Sequence, residues 1–416
     1  MSELAHLFVQ LLLIIAVARL VGKLFTRIGL PEVVGEMTAG ILLGPSLFGW
    51  LAPGAFAFVF PADSLGALRL LAQVGICLFM FAVGMELDLR QVRNSARTAV
   101  VVSQTSIVVP FLLGVGLAWF LVDELAGPKA TFVGFALFMG ISMSITAFPV
   151  LARILQERGL SRTPLGALAI TCAAINDVAA WAIMAFVVAI ARASSMSGAL
   201  LTLVLALVFI CVMIWVVRPL VPRWLGADRL SREQPSSGTL ATVVCVAIAG
   251  ALCTEVIGIH ALFGAFLAGA IMPDTEGFRE RINSYVERFS SVLLLPLFFA
   301  FTGLRTQIGL LDDLKGWALC VLIILVATAG KLGAAAVAAR LAGMAWRESL
   351  ALGTLMNTRG LIELIALNIG YDVGILSPRI FTMLVIMALV TTVLTGPLLT
   401  ALGARSDRAA PHPARN

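Results

Sequence analysis

The sequence predicts an all-α polytopic membrane protein with about thirteen transmembrane helices. Of its 416 residues, 60% are hydrophobic and only 12% are charged, and the mean hydropathy is +1.02. The apolar residues form runs of about twenty, the length of a helix that crosses a bilayer, whereas a barrel strand would need about ten residues of alternating character. This composition excludes soluble enzymes, and no phosphate-binding glycine loop, zinc-ligand spacing or nucleophile triad is present. We therefore expect neither an enzyme nor a bound cofactor.

The apolar runs end at charged residues, glycine or proline, and these ends divide the chain into thirteen spans. Span nine is short for a transmembrane helix. The predicted spans are 4–22, 31–51, 65–86, 98–122, 130–155, 163–191, 198–222, 238–257, 259–273, 285–304, 315–340, 347–371 and 375–402.

The basic residues predict how the chain is oriented. Most of the 29 lysine and arginine residues follow odd-numbered spans. Because basic residues near span ends are retained in the cytoplasm, this bias predicts an N-terminus outside and a C-terminus inside. The net charge of +6 then reflects topology rather than a nucleic-acid partner. We expect a multi-pass protein of a bacterial inner membrane, surrounded by the lipid bilayer.

Two pairs of spans resemble each other at an interval of seven spans. Span two, LPEVVGEMTAGILLGPS, aligns with span nine, IHALFGAFLAGAIMPDT, and places Gly40 over Gly269. The end of span three, LFMFAVGMEL, aligns with the end of span ten, LFFAFTGLRT, and places Gly84 over Gly303. An odd interval gives equivalent spans opposite directions, so the pattern predicts an inverted repeat with span seven as the linker.

Spans five and twelve, again seven apart, are predicted to be broken. Span five contains SMSITAFPVLARIL, in which Pro149 removes a backbone donor after a run of serine and threonine. Span twelve contains TLMNTRGLIELIAL, which brings polar side chains and a helix-weakening glycine to membrane depth. Irregular backbone is tolerated there where protein buries it or where it lines an aqueous cavity. A simple kink at Pro149 is the alternative.

Two ionisable side chains lie in the middle of apolar spans: Asp177, in TCAAINDVAAWAIMAFVVAI, and Lys331, in CVLIILVATAGKLGAAAVAA. A charge at that depth costs at least about 2.5–3.5 kcal/mol, so such residues normally face water, a counter-charge or an ion. Asp177 is expected to bind an ion, with a structural ion pair to Lys331 as the alternative. For Lys331 the sequence supports two roles equally. One is structural, at a half-helix carbonyl end or beside Asn176 or Asp177, and the other is a role in transport.

Several motifs together resemble the monovalent cation:proton antiporter-2 family, which includes Nap-type and Kef-type antiporters and plant cation/H+ exchangers. The motifs are SITAFPVLARIL at 144–155, the Asn176–Asp177 pair, Lys331, LFGAFLAGAIMP at 262–273 and NTRGLIEL at 357–364, spread over essentially the whole chain. The resemblance implies a Na+/H+ antiporter fold with inverted repeats and two broken crossing helices. It also implies a homodimer and an elevator-like movement of a core domain.

The same resemblance implies a division of the chain into domains. Helices 1–3 and 8–10 form the dimerisation domain, helices 4–6 and 11–13 form the core ion-transport domain, and helix 7 links the two halves. The corresponding residues are 1–97 and 238–312 for the dimerisation domain, 98–192 and 313–402 for the core, 193–237 for the linker, and 403–416 for a disordered cytoplasmic tail.

The resemblance assigns roles residue by residue. Asp177 matches the family's ion- and proton-binding acid, Thr146 the unwound position near it, and Lys331 the intramembrane lysine. Asn176 stands where electrogenic members have a second acid, which favours electroneutral 1:1 exchange of Na+ or K+ for H+. Asp177, Asn176 and Thr146 are thus the expected ion- and proton-binding residues, with Asp177 as the ligand of the monovalent cation.

Further polar residues are expected to support this site at membrane depth: Lys331, Ser144, Glu363, Arg359 and Glu86. Arg359 and Glu363 lie one helical turn apart and are expected to pair. Glu86 fits either an ion approach or a solvated helix end.

Two other functions remain open from the sequence. In a monovalent cation channel the polar breaks would line a continuous pore. A sodium-coupled solute symporter would need a roomier site, lined by aromatic or arginine side chains. The sequence does not distinguish Na+, K+ and Li+, because selectivity depends on the number and placement of oxygen ligands.

Overall fold

A computed structural model describes residues 3–86, 97–160, 163–192, 196–226, 234–273 and 277–403. Regular structure in this part of the chain is helical, apart from one β-bridge between Ala126 and Leu376. The helices are α1 (Glu3–Arg27), α2 (Glu32–Leu43), α3 (Phe48–Leu51), α4 (Pro53–Val59), α5 (Leu65–Glu86), α6 (Arg97–Leu125), α7 (Phe132–Ser144), α8 (Phe148–Glu157), α9 (Pro164–Arg192), α10 (Met196–Val212), α11 (Arg218–Leu225), α12 (Ser237–Ile257), α13 (Ala261–Ala270), α14 (Phe278–Phe289), α15 (Leu295–Arg305), α16 (Leu314–Leu341), α17 (Trp346–Met356), α18 (Leu361–Asp372) and α19 (Pro378–Ala401).

Every predicted span recurs as helix. Among the described residues, eleven segments are long and apolar enough to cross a membrane, and the bent pair of α17 and α18 makes a twelfth. Predicted span nine corresponds to α13, which has ten residues and is too short to cross a bilayer alone. Predicted span two is not one continuous helix, because α2 ends at Leu43 and helix resumes at Phe48.

Side-chain caps fix where two helices that carry residues of the site begin. Thr131 Oγ1 accepts the N–H of Gly134 at 3.1 Å at the start of α7. Asp313 Oδ1 accepts the N–H of Gly316 at 2.9 Å at the start of α16. These caps satisfy backbone donors that the first turn of a helix leaves without partners. Helix α7 leads into the first predicted break, and α16 carries Lys331.

Two glycine contacts have the symmetry that the predicted repeat requires. Helices α2 and α15 approach so closely that a Cβ atom on Gly303 would lie 1.9 Å from the carbonyl carbon of Gly40. Helices α5 and α13 do the same, and a Cβ atom on Gly269 would lie 2.0 Å from the carbonyl oxygen of Phe81, one turn before Gly84. In the predicted repeat, Gly40 is equivalent to Gly269 and Gly84 is equivalent to Gly303. The contact between spans two and ten is therefore equivalent to the contact between spans nine and three.

Both predicted breaks are present. Span five consists of α7 and α8, separated by residues 145–147. Pro149 lies in the first turn of α8, where its missing N–H removes no helical hydrogen bond, so the alternative of a simple kink is wrong. Span twelve consists of α17 and α18, separated by residues 357–360 and bent by 44°.

Candidate ion-binding site

The two breaks contact each other directly. The N–H of Ala147 donates to the carbonyl oxygen of Thr358 at 3.0 Å. The hydroxyl of Thr146 donates to the carbonyl oxygen of Met356 at 2.9 Å. These bonds satisfy backbone groups that the unwound segments cannot pair within their own helices. The broken helices therefore cross at Thr146, and the crossing is buried in protein.

Asp177 lies on α9 beside this crossing, and its side chain is only 4% exposed. The N-terminal end of α8 lies beside its carboxylate, with the backbone N–H of Phe148, the first residue of that helix, as the nearby donor. A helix N-terminus carries partial positive charge, so this half-helix end suits an anionic side chain. The carboxylate oxygen Oδ1 is buried and has no hydrogen-bond partner among the described residues. This oxygen is available to a proton or a cation.

Asn176 connects three parts of the site. Its Oδ1 accepts the N–H of Thr146 at 3.3 Å, and its Nδ2 donates to the hydroxyl of Ser106 at 3.1 Å. The side chain is fully buried, so both bonds form away from solvent. Asn176 therefore joins α9 to the first break and to α6. Ser106 was not predicted as part of the site, although it ends the polar run Ser103, Gln104, Thr105, Ser106, whose position inside an otherwise apolar span is a signal that could have identified it.

Lys331 contacts backbone carbonyls rather than Asp177. Its ammonium donates to the carbonyl oxygen of Ser106 at 3.2 Å and also to that of Ser144, the last residue of α7. Ser106 lacks its usual helical donor because Pro110 stands four residues later, and Ser144 lacks one because the helix ends there. No ion pair between Lys331 and Asp177 is formed, so that alternative is wrong for this structure.

Arg359 provides the second positive charge at the end of α7. Its guanidinium donates to the carbonyl oxygen of Met143 at 2.9 Å and also to that of Ser142. It also pairs with Glu363 at 3.4 Å, and both of these side chains are fully buried. The predicted pair is therefore present, and the same arginine also contacts the carbonyl end of the half-helix. Cations at a helix C-terminus are favourable because its carbonyls carry partial negative charge.

Two predicted residues remain, Ser144 and Glu86. The hydroxyl of Ser144 donates to the carbonyl oxygens of Gly140 at 2.7 Å and Ile107 at 3.1 Å. Glu86 ends α5, and its side chain lies outside the described residues, as does the predicted tail beyond Gly403. The structure thus brings together Asp177, Asn176, Thr146, Lys331, Ser144, Arg359 and Glu363, and leaves Glu86 unassigned.

A bundle of apolar spans in which two broken helices cross beside a buried carboxylate defines a multi-pass membrane ion transporter. The fold is that of a solved sodium proton antiporter, MjNhaP1 from Methanocaldococcus jannaschii. The two structures match with a TM-score of 0.68 over 97% of this chain and 98% of that one, at 14% sequence identity.

The family follows from the sequence comparison. Residues 12–405 match the family described as sodium/hydrogen exchanger, transmembrane, and the chain belongs to this family. It is 43% identical over 402 residues to the Na(+)/H(+) antiporter NhaS4 of Synechocystis, covering 96% of this chain and 98% of the relative. It is 39% identical over 411 residues to Cation/H(+) antiporter 20 of Arabidopsis thaliana, and there it covers 95% of this chain but only 48% of the relative. The chain therefore spans about half the length of that plant protein. The resemblance drawn from the motifs is confirmed.

Proposed function

We propose that the protein exchanges a monovalent cation, Na+ or K+, for protons across a bacterial inner membrane, with Asp177 binding each in turn. One observation carries this proposal: a buried carboxylate whose Oδ1 has no hydrogen-bond partner among the described residues lies at the crossing of two broken helices. The family and the name of the Synechocystis relative support a cation as one substrate and the proton as the other.

Coupling follows if the core crosses the membrane only with Asp177 neutralised. An ionised carboxylate that is moved through an apolar interface without a counter-ion carries a large desolvation cost. A bound cation or a bound proton removes most of that cost. Movement in one direction with the cation and return with the proton then gives exchange, because the empty, charged form stays on one side.

The contacts between the proposed core and dimerisation domains support an elevator-like movement. On one side of the crossing, Arg153 of α8 pairs with Glu32 of α2 at 3.3 Å. On the other side, Arg305 of α15 pairs with Asp372 of α18 at 2.7 Å. Between them the contact is largely apolar, and the ring of Trp181 on α9 stacks on α13. At such an interface the core domain can move along the dimerisation domain once the few ion pairs at its two ends have broken.

A single exchanging carboxylate supports electroneutral 1:1 exchange. Asn176, beside Asp177, has a side chain that cannot ionise, so Asp177 is the acid of this pair that binds an ion. A single monovalent cation and a single proton each add one positive charge to Asp177. The core then carries the same charge in both directions, and the membrane potential does no net work on the cycle.

Assembly and orientation complete the proposal. Helix α1 and the span Leu200–Leu225 are the least buried apolar spans, with 17% and 6% of their residues buried. Such surfaces face either lipid or a second copy of the chain. We place a homodimer interface on the dimerisation domain, residues 1–97 and 238–312, and orient the N-terminus outside and the C-terminus in the cytoplasm, as the basic residues predict.

Reconstituted transport tests the proposed function. Proteoliposomes that contain a pH-sensitive dye should show proton movement when a Na+ or K+ gradient is imposed, and Asp177→Asn should abolish it. An imposed membrane voltage should leave the rate unchanged. A cation gradient that decays without driving protons would indicate a channel instead, and a voltage-dependent rate would contradict 1:1 exchange.

A further inference from the structure

The second break contains a buried polar group that the proposed mechanism does not use. Asn357 directly follows α17, and its side chain is only 2% exposed. Its Oδ1 atom is buried and has no hydrogen-bond partner among the described residues. A buried amide oxygen without a donor costs free energy, and nearly all such oxygens in folded proteins are paired. This oxygen can therefore accept a partner from outside the described chain.

The backbone holds Asn357 at the crossing. Its two neighbours both bond to the first break: Met356 accepts from the Thr146 hydroxyl at 2.9 Å, and Thr358 accepts from the Ala147 N–H at 3.0 Å. The next residue after Ala147 is Phe148, which begins α8 at the end that lies beside the Asp177 carboxylate. A short chain of backbone contacts thus fixes Asn357 on one broken helix relative to Asp177 beside the other.

The surroundings of Asn357 suit a cation. Asn357 is the C-terminal cap of α17, and the end of a half-helix carries partial negative charge. Discontinuous membrane helices use such ends, together with oxygen atoms of the unwound segments, to coordinate Na+. The amide oxygen of Asn357 and Oδ1 of Asp177 are both buried and both lack hydrogen-bond partners within the described chain.

We infer that Asn357 is a ligand of the transported cation, and that it supplies a neutral oxygen opposite the Asp177 carboxylate. This inference rests on the proposed function, and it deepens it by giving the second break a direct role in cation selection. A proton needs only one oxygen, whereas a metal ion needs several, so Asn357 strengthens cation binding and leaves proton binding to Asp177 alone. Loss of this oxygen therefore weakens binding of the cation and leaves the maximal rate of exchange unchanged.

The test is a set of substitutions at position 357 assayed in proteoliposomes. Asn357→Ala and Asn357→Leu, in which the side chain has the same branching without polar atoms, should raise the half-saturating cation concentration about tenfold, the effect of losing one polar contact to a charged group, with a maximal rate near that of the parent. Asn357→Asp keeps an oxygen and should bind the cation at least as well as the parent. The stabilisation of the purified protein by added Na+ or K+, read as a shift in melting temperature, should shrink in the Ala and Leu variants.

Asn368 provides a matched control, because it is a buried amide of the same broken span. Its Nδ2 donates to the Thr302 hydroxyl at 2.8 Å, and its Oδ1 accepts from Arg305 at 2.9 Å, so its amide is already paired. Asn368→Ala should change protein yield or melting temperature and leave the half-saturating cation concentration unchanged. A structural role for Asn357 would give this same pattern.

Each outcome separates the inference from the proposed function. A parental half-saturating concentration and a parental cation-induced shift in Asn357→Ala would overturn the inference, and loss of exchange in Asp177→Asn would still uphold the exchange mechanism. Retained exchange in Asp177→Asn would overturn the proposed function whatever position 357 does. Failure of all three variants at position 357 to fold would show that Asn357 holds the structure, and this too would overturn the inference.

Discussion

Lys331→Met should lower stability while leaving exchange intact. In the structure the ammonium group donates to the carbonyl oxygens of Ser106 and Ser144, neither of which has its usual helical donor. It forms no ion pair with Asp177. The lysine therefore acts on the backbone of the broken helix, and methionine fills a similar volume without supplying a donor.

The size of the effect follows from those two carbonyls. A buried acceptor left without a donor costs about 1–3 kcal/mol, so two of them cost about 2–6 kcal/mol. Methionine also avoids the desolvation of a buried ammonium group, which offsets part of that loss. We expect a net loss of about 2 kcal/mol in the free energy of unfolding, or a fall of about 2 °C in melting temperature for a chain of this length.

Thermal unfolding in detergent and exchange in proteoliposomes together provide the assay. Lys315 on the same helix is the matched control, because it pairs with Glu124 at 2.6 Å while 65% of its side chain is exposed. Exposed ion pairs contribute at most about 1 kcal/mol, so Lys315→Met should be nearly neutral. A Lys331→Met protein with the parental melting temperature and no exchange would refute the reasoning, because the lysine would then act in transport.

Three further predictions concern packing, movement and pH. Gly40→Ala should sharply reduce the yield of folded protein, because the new Cβ atom would lie 2.2 Å from the carbonyl oxygen of Phe299. Gly66→Ala is the control and should be tolerated, because a Cβ atom at that position would have no atom within 4 Å. Size-exclusion profiles compare the two variants, and equal yields would contradict the close packing. Arg305→Ala removes the ion pair to Asp372 between the proposed domains. This variant should change the maximal exchange rate but not the half-saturating cation concentration. A change confined to the half-saturating concentration would show that Arg305 takes part in ion binding. Because cation and proton compete for one carboxylate, raising the cation concentration tenfold should move the midpoint of acid inhibition about one pH unit lower, and a midpoint independent of cation would rule out competition.

The fold was predictable because the membrane imposes a simple pattern on the sequence. Apolar runs of bilayer length indicated every span. Pro149 and the Asn–Thr–Arg–Gly run indicated the two breaks, because a missing backbone donor and a run of polar side chains are both unfavourable inside a membrane helix. The short helix α13 was recognised as the least regular span, and its length became clear only in the structure. The paired glycines indicated the repeat, although small residues alone did not reveal that Gly40 meets Gly303.

The site was less predictable, because its contacts join residues that are distant in the chain. The sequence identified Asp177 and Lys331 by their cost in an apolar span, but it left their mutual contact open. The answer depends on Pro110, which frees the carbonyl of Ser106, and on the break after Ser144. Backbone carbonyls and N–H groups leave no mark in a sequence, so the contact between Phe148 and Asp177 was beyond reach.

The central claim is that one carboxyl group binds the cation and the proton in turn. The most direct test adds Na+ or K+ to the purified protein in weakly buffered solution and counts the protons that are released. About one proton should be released for each cation bound, because the ligand must lose its proton first, and Asp177→Asn should release none. Cation binding without proton release, or the same release from Asp177→Asn, would contradict the account.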